Sequence, residues 1–354
     1  MVFKKKIAFF MIFIVAIVVV VVVKNMFFAD KKLPKEHIID GKAGTISLSV
    51  LVDTLGKVDF SNEDVSKIFS KGIINPYTVN YLKYLQWKFG KEDQTFESHF
   101  RKVCEYLKTD TDIEDPEAMC ELYKKYVKYE VALEEKLGAF GPITNAKEAL
   151  EALQKVQEFR RDFFGNEIAD ALFAAEVKSQ EYSIRRTAIV NDHNLYGAEK
   201  LAMLDDLNKD MWGDEASQVD SLTIMNDNYN KYQESKQIYS KDMSEMDDAK
   251  KKEFDKNLRN KFFTPDVVAK FEEIDRQNEE LKNKEEQYYV LEKQIMNDPT
   301  ISEHEKDEKI TELQKEIFGK EGWAAFKRRD AIKKGRADIV DNTGSTQTRL
   351  DDEM

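Results

Sequence analysis

The residues that most often carry chemistry in proteins are few in this chain, and their spacing does not suit it. The 354 residues include only four histidines and two cysteines. No histidine has another three or four residues away, the spacing that lets a helix present two ligands to one zinc ion. Carboxylates are abundant, but in a chain with 34% charged residues their pairs carry no catalytic signal. The sequence therefore predicts no catalytic residue, no metal site and no enzyme.

Nucleotide-binding and nucleophile motifs are also missing from the sequence. It contains no Gly-rich phosphate loop and no Gly-x-Ser-x-Gly elbow around a nucleophilic serine. We therefore expect no cofactor, and any work on another protein would be driven by binding energy rather than by ATP. The formal net charge of −12 would repel nucleic acid, so no nucleic-acid partner is expected.

The start of the chain has the pattern of a membrane anchor. Lys4-Lys5-Lys6 precede the uninterrupted apolar run Ile7–Val23. A bilayer core needs about 20 helical residues, with a lower limit near 17, and preceding lysines favour a cytoplasmic N-terminus. We assign residues 1–6 as a cytoplasmic basic segment, 7–23 as the transmembrane anchor and 24–36 as a tether.

The alternative to an anchor is a cleaved signal peptide. Signal peptides usually have a shorter apolar run of about 7–15 residues and a cleavage site made of small residues. Here Ala29 is the only small residue after the run, and Phe27 occupies the position where a second small residue is wanted. The pattern favours an uncleaved anchor in the bacterial inner membrane, with the bulk of the chain in the periplasm.

Cys104 and Cys120 are the only cysteines. An even number of cysteines in an exported protein is typical of a disulfide, whereas two buried thiols are common in helical cores. Both interpretations remain open at this point. In either case the short segment between them predicts two neighbouring antiparallel helices.

The elements that would position any site are mostly helices. The one strand pattern is Ile46–Val52, which alternates and is rich in β-branched residues, so we expect a short strand or half of a hairpin there. Helix-start signals follow at Ser61, Asn75-Pro76 and Asp115-Pro116. The predicted fold class is mainly α, with a first small domain over residues 37–137.

The second half of the chain repeats itself. Phe163-Phe164 and Phe262-Phe263 each open a long helix with a narrow apolar stripe, and the helices end at Asn191-Asp192 and Asn297-Asp298. The second copy is longer by seven residues, about two helical turns, which keeps the stripe on the same side. Ile317-Phe318-Gly319 is interpreted as the start of a third, truncated unit.

These patterns predict an extended, charged helical scaffold that links two small, mostly helical domains. Residues 138–257 form the extended helical region with the first long-helix unit. Residues 258–338 contain the second long-helix unit and a C-terminal small domain. The polar residues 339–354 are expected to be a disordered tail.

Several short motifs resemble those of the lipase-specific foldases of Gram-negative bacteria. The family begins its first segment with Gly-Thr followed by Asp-x-x-Gly, and Gly44-Thr45 and Asp53–Gly56 are similar. Its helical region has an aromatic-Gly start, a Phe-x-x-Glu and an Asp-Pro-x-Leu/Ile-Ser turn. Phe164-Gly165, Phe173–Glu176 and Asp298–Ser302 are similar to these three motifs.

One family motif is degenerate in this sequence. The family has Arg-x-x-Phe-Asp-Tyr in its first small domain, and the corresponding segment Ser66–Lys71 keeps only Phe69. By resemblance, Phe69 is predicted to bind a client protein. The residues grouped with it in this client-binding prediction are Ile68, Val65 and Ser66.

The resemblance covers roughly residues 40–330 and implies a steric chaperone. Such a protein clasps a secreted lipase between two small domains and promotes its folding without ATP. Because of the net charge, we expect the chain to be monomeric without its client. The alternative is a membrane-tethered helical scaffold or spacer protein with no lipase client, whose signature would be sustained heptads and self-association.

Overall fold

The computed structural model describes residues 60–90, 95–219 and 227–351, together with Leu33, Pro34, 36–39, 46–48, Val50 and Thr54. The predicted anchor, most of the tether, Gly44-Thr45 and the last three residues lie outside these ranges. Among the helices that are described, none has the length and apolar character needed to cross a membrane.

The chain divides into two compact units, residues Met1–Phe262 (unit 1) and Phe263–Met354 (unit 2). The described part of unit 1 contains a short 3-10 helix (Gly213–Gln218) and the following α-helices: α1 (Asn62–Phe69), α2 (Thr78–Phe89), α3 (Phe96–Thr109), α4 (Pro116–Leu137), α5 (Ala146–Phe164), α6 (Asn166–Val190), α7 (Gly197–Trp212), α8 (Asn228–Ile238), α9 (Ser240–Glu245) and α10 (Asp248–Phe262).

Unit 2 is built from two long helices that pack against each other. They are α11 (Pro265–Met296) and α12 (Glu303–Asp351), and α12 is interrupted at Gly319, where φ is 70°. With unit 1, this confirms the mainly α fold class, since every regular element in the described ranges is helical. The helix α11 is seven residues longer than its repeat partner α6, as the sequence predicts.

The strand expected over Ile46–Val52 is not found. Within that segment Leu48 and Val50 are helical, Ile46 and Ser47 have no regular structure, and the other three residues lie outside the described ranges. The physical reason is tertiary: Leu48 is 3% exposed and packs in a cluster with Tyr182 and Trp212. Strand preference depends on a neighbouring strand and a half-buried surface, and helices supply the packing here instead.

The helices begin where local side chains can cap them. Ser61, Thr95, Asp115 and Asn145 each accept a hydrogen bond from a backbone N–H in the first turn of the helix that follows. Such caps pair N–H groups that have no partner inside the helix. This local chemistry explains why the helix starts are readable from the sequence.

One hydrophobic core runs through most of unit 1. Its buried residues extend from Ile39 in the first segment to Ile184 on α6, and Leu137 and Ala146 belong to it on either side of the expected domain boundary at 137/138. The first small domain and the start of the extended region therefore share a core rather than forming separate bodies.

A buried arginine ties three helices of unit 1 together. Arg160 on α5 is 1% exposed; its Nε donates to Tyr129 Oη on α4 at 2.8 Å, and its Nη2 donates to Glu176 Oε1 on α6 at 2.5 Å. The guanidinium carbon lies 4.0 Å from the centroid of the Phe173 ring. The family-like motif Phe173–Glu176 therefore contacts Arg160 twice: the Phe173 ring packs on the face of the guanidinium, and Glu176 accepts a hydrogen bond from its edge.

The charged side chains of this cluster stay ionised because they pair with each other. Burial alone would raise the pKa of Glu176, but the nearby Arg160 guanidinium lowers it overall. Burial raises the pKa of Tyr129 to about 12, so the phenol stays protonated and accepts the Arg160 hydrogen bond through its oxygen. The cluster stabilises the fold only while all partners are present.

The end of the expected tether is fixed on α6. The Arg185 guanidinium donates to the backbone carbonyls of Pro34 and Glu36, and Glu181 accepts from the backbone N–H of Ile38 at 3.2 Å. The ring of His37 lies 3.2 Å from Glu181 Oε1. The described end of the expected tether, Pro34 and Glu36, is thus attached to α6.

We expect Arg160→Ala to lower the free energy of unfolding by about 3–5 kcal/mol, because it leaves Glu176 buried without its partner. The matched control is Arg276→Ala on α11, an exposed arginine whose ion pairs with Glu273 and Glu280 are solvated, and it should change stability little. Denaturant unfolding followed by circular dichroism measures both variants. Equal stability of the two would contradict a structural role for the Arg160 cluster.

Candidate client-binding surface

The residues predicted from sequence to bind a client lie on α1, largely against the core. Val65 is fully buried and Phe69 is 1% exposed, whereas Ser66 and Ile68 are half-buried. The Phe69 ring packs against Tyr81 with centroids 5.1 Å apart. In the structure of the free chain, Val65 and Phe69 thus serve the core, and a role for this group in client binding stays a prediction.

Cys104 and Cys120 lie on the neighbouring helices α3 and α4 and are joined in a disulfide, with their Cα atoms 5.2 Å apart. The bond closes a short loop between two helices of the unit 1 core. It therefore constrains the α3–α4 pair rather than forming a reactive site.

The sequence repeat corresponds to a repeated turn. Between α6 and α7, the carboxylate of Asp192 accepts from the backbone N–H of Asn194 at 2.8 Å. Glu199 then accepts from the backbone N–H of Tyr196 at 2.8 Å, which caps the start of α7. Together the two carboxylates fix both the direction of the turn and the first turn of α7.

Unit 2 builds the same turn with the same two carboxylates, each 106 residues later in the sequence. Asp298 accepts from the backbone N–H of Thr300 at 2.8 Å, and Glu305 accepts from that of Ser302 at 2.8 Å. The family-like motif Asp298–Ser302 is therefore a carboxylate-held turn that ends in a helix cap.

The repeat continues beyond the turn in the same register. Lys200 is buried one turn into α7, and Lys306 is buried at the same place in α12. Gly213 and Gly319 both have positive φ, 54° and 70°, where the helices end or break. The segment Ile317-Phe318-Gly319 thus matches Met211-Trp212-Gly213, so it closes the second unit rather than starting a third.

In unit 1, the end of the helix pair is covered by α8 and α9. The ammonium of Lys200 donates to Val190 O at 2.8 Å and to Gln237 O, at the end of α8, at 3.1 Å. The backbone N–H of Gly197 donates to Asp242 on α9 at 2.7 Å. Through these contacts α8 and α9 cover the end of α6 and the buried Lys200.

Apolar side chains complete this cover. Ile238 on α8 packs with Val190 and Leu204 in a small buried cluster, and the ring of Tyr239 lies against Gly197. A Cβ atom at position 197 would overlap that ring, so glycine is required for the close approach. The end of the unit 1 helix pair is therefore a filled apolar site.

The same place in unit 2 is open. Met296 occupies the position of Val190, yet it is 46% exposed where Val190 is 8% exposed. Ile295 and Ile310, the counterparts of Ile189 and Leu204, are half-buried. Glu303 stands where unit 1 has Gly197, and its side chain is 80% exposed. Ile189 is half-buried as well, so the clear difference between the two units is at Met296, which is exposed where Val190 is buried.

The first half of α11 is a solvated helix. Residues 272–280 are all exposed, and Arg276 holds Glu273 at 2.7 Å and pairs with Glu280 on the other side. Pairs three and four residues apart on one helix support it without a tertiary partner. This part of the helix presents charge to solvent, with Ile274 as an exposed apolar side chain.

The described residues contain no group of three or more His, Cys, Asp or Glu side chains that could hold a metal ion. The features that they do contain are structural ones: helices, capped turns and apolar faces. The comparisons with known proteins bear on what such features serve.

A model of the proteobacterial lipase chaperone protein family matches residues 122–323, more than half of the chain. The chain belongs to this family. Membership indicates a role as a chaperone in lipase folding. No curated protein and no solved structure matches the chain.

The matched region contains both repeated turns and the Arg160 cluster, but it excludes α1. The degenerate motif around Phe69 therefore lies outside the part of the chain that shows the family. The burial of Lys200 and Lys306 is not predicted from the sequence. A signal is present, since each lysine stands four residues before an apolar stripe, at the same position of the repeat.

We expect Phe69→Ala to lower the free energy of unfolding by about 3–5 kcal/mol, because the ring is buried against Tyr81. The neighbouring Ile68→Ala is the control, and it should cost less because Ile68 is half-buried. Thermal unfolding of both variants measures this. A folded Phe69→Ala variant that loses only client binding would instead support the role predicted from the family motif.

Proposed function

We propose that this protein is a membrane-anchored steric chaperone of the periplasm that binds a secreted lipase and promotes its folding without ATP. The observation that carries the proposal is the family match over residues 122–323. The chemistry-bearing motifs of enzymes and nucleotide-driven chaperones are missing from the sequence, which favours action through binding alone.

The membrane anchor and the compartment are supported by the N-terminal sequence and by the disulfide. Lys4-Lys5-Lys6 before Ile7–Val23 favour a single-pass segment with the following residues outside the cytoplasm. The bond between Cys104 and Cys120 is of the kind that persists in oxidising compartments such as the periplasm. The attachment of Pro34 and Glu36 to α6 would set the short distance between membrane and folded chain.

Distributed contacts suit a client that is itself still folding. Large apolar side chains are exposed at separate points of the family-matched region, including Val131, Ile168, Tyr196, Leu201, Met203, Tyr229, Ile274 and Met296. Binding energy spread over such points can hold a large surface without a deep pocket. In this proposal the chaperone binds the folding transition state of the lipase more tightly than it binds the unfolded lipase. This difference in affinity lowers the folding barrier.

The folding activity is tested by refolding. A purified secreted bacterial triacylglycerol lipase, unfolded in urea, should regain activity on dilution in the presence of the full chain in detergent micelles. The yield of active lipase should be the same with and without ATP. Serum albumin at equal concentration is the control for nonspecific protection. No gain over albumin with any secreted lipase would contradict the proposal and favour a tethered scaffold with no client.

The topology is tested separately. Alkaline phosphatase fused after residue 36 should be active, because that enzyme folds only in an oxidising compartment. The same fusion after deletion of residues 1–23 should be inactive. Activity of the deletion fusion, or a mature protein that begins beyond Ala29, would contradict the membrane anchor.

A further inference from the structure

The two repeats offer a comparison inside one molecule, because the residue that ends the first helix is buried in unit 1 (Val190, 8% exposed) and exposed in unit 2 (Met296, 46%). In unit 1 the covering element is the last turn of an α-helix. That helix provides one apolar side chain, Ile238, and one backbone carbonyl, Gln237 O, to the end of the helix pair. In unit 2 the equivalent residue, Met296, is exposed.

We propose that the open end of unit 2, formed by Ile295, Met296, Ile310 and Lys306, is a docking site for the last turn of an amphipathic helix of the lipase client. The inference rests on the proposed function for the identity of the partner. The chemical groups expected on that partner are inferred from the contacts that α8 and α9 make at the equivalent place in unit 1.

The buried Lys306 is the first group that we expect to contact the client helix. The Lys200 ammonium donates two hydrogen bonds to backbone carbonyls, one at the end of α6 and one at the end of α8. Lys306 occupies the same position and donates to Glu303 at 2.7 Å. An ammonium group has three donors, and the free carbonyls at a helix C-terminus are natural acceptors for it.

Charge defines the rest of the partner. The first turn of α12 carries Glu303 and Glu305, and Asp298 lies in the preceding turn. In unit 1 the covering segment brings a cation to the corresponding turn, where Lys241 donates to Asn194 O at 2.7 Å. The expected client helix therefore ends in apolar residues followed by Lys or Arg.

The segment α8–α9 of a second copy is not the expected occupant. In unit 1 the Tyr239 ring fits against Gly197 only because glycine has no side chain. Unit 2 has Glu303 at this position, so the same aromatic contact is sterically blocked. The net charge of −12 also opposes self-association.

The decisive variant is Met296→Glu, with Val290→Glu as its matched control. Val290 is on the same helix, is 59% exposed, and lies about 120° around the helix axis from Met296. The probe is the urea-unfolded triacylglycerol lipase that the wild-type chain refolds. Met296→Glu should weaken binding on the order of tenfold and lower the refolding yield, whereas Val290→Glu should bind within twofold of wild type.

Stability measurements separate docking from folding. Met296→Glu should melt like the wild type because the side chain is already exposed, whereas Val190→Glu at the equivalent buried position should melt at a lower temperature. If Met296→Glu also lowers the melting temperature, a photo-crosslinking residue placed at 296 and at 290 decides instead. Crosslinks to the lipase from 296 alone support the site.

Several results would overturn the inference. One is wild-type binding by Met296→Glu, and another is an equal loss in both glutamate variants. A homodimer in ultracentrifugation that Met296→Glu abolishes would assign the surface to self-association instead. These results leave lipase refolding by the wild-type chain intact. Failure of the wild-type chain to refold any lipase would instead remove the proposed function, and the client with it.

Discussion

A pair of helices joined by a tight turn buries the sides that face each other, but it leaves the end of the pair to be covered by something else. This constraint governs both halves of the molecule. In unit 1, α8 and α9 cover the end, and Lys200 binds carbonyls from two helices there. In unit 2 the same turn is built with the same carboxylate hydrogen bonds, yet Met296 remains 46% exposed. The difference between the copies lies in what covers them, and for a chaperone the uncovered copy is the one available to a client.

Each unit is stabilised by its own contacts. The Arg160 cluster fixes α4, α5 and α6 through charge-assisted hydrogen bonds and ring contacts, and the disulfide constrains α3 and α4. The charged first half of α11 is supported by its own ion pairs rather than by a core. Docking surfaces held on preformed helices lose little conformational entropy on binding, so modest apolar contacts can contribute to affinity.

The sequence predicts what depends on local chemistry. The helix starts, the Asn-Asp turns and the seven-residue difference between α6 and α11 follow from caps, carboxylate turns and apolar spacing. It does not predict what depends on distant packing. The segment Ile46–Val52 has a strand pattern, but Leu48 is helical because its neighbours are helices. The burial of Phe69 and the cover over Lys200 likewise depend on segments far away in the chain.

We propose that the client binds the uncovered end of unit 2, and hydrogen–deuterium exchange of the full chain with and without bound lipase tests this most directly. The amides of residues 293–310 should exchange more slowly when an unfolded triacylglycerol lipase is bound. The equivalent end of α6 in unit 1, residues 187–190, where Val190 packs with Ile238, should exchange at an unchanged rate. Unchanged exchange over 293–310, with protection confined to other parts of the chain, would contradict the account.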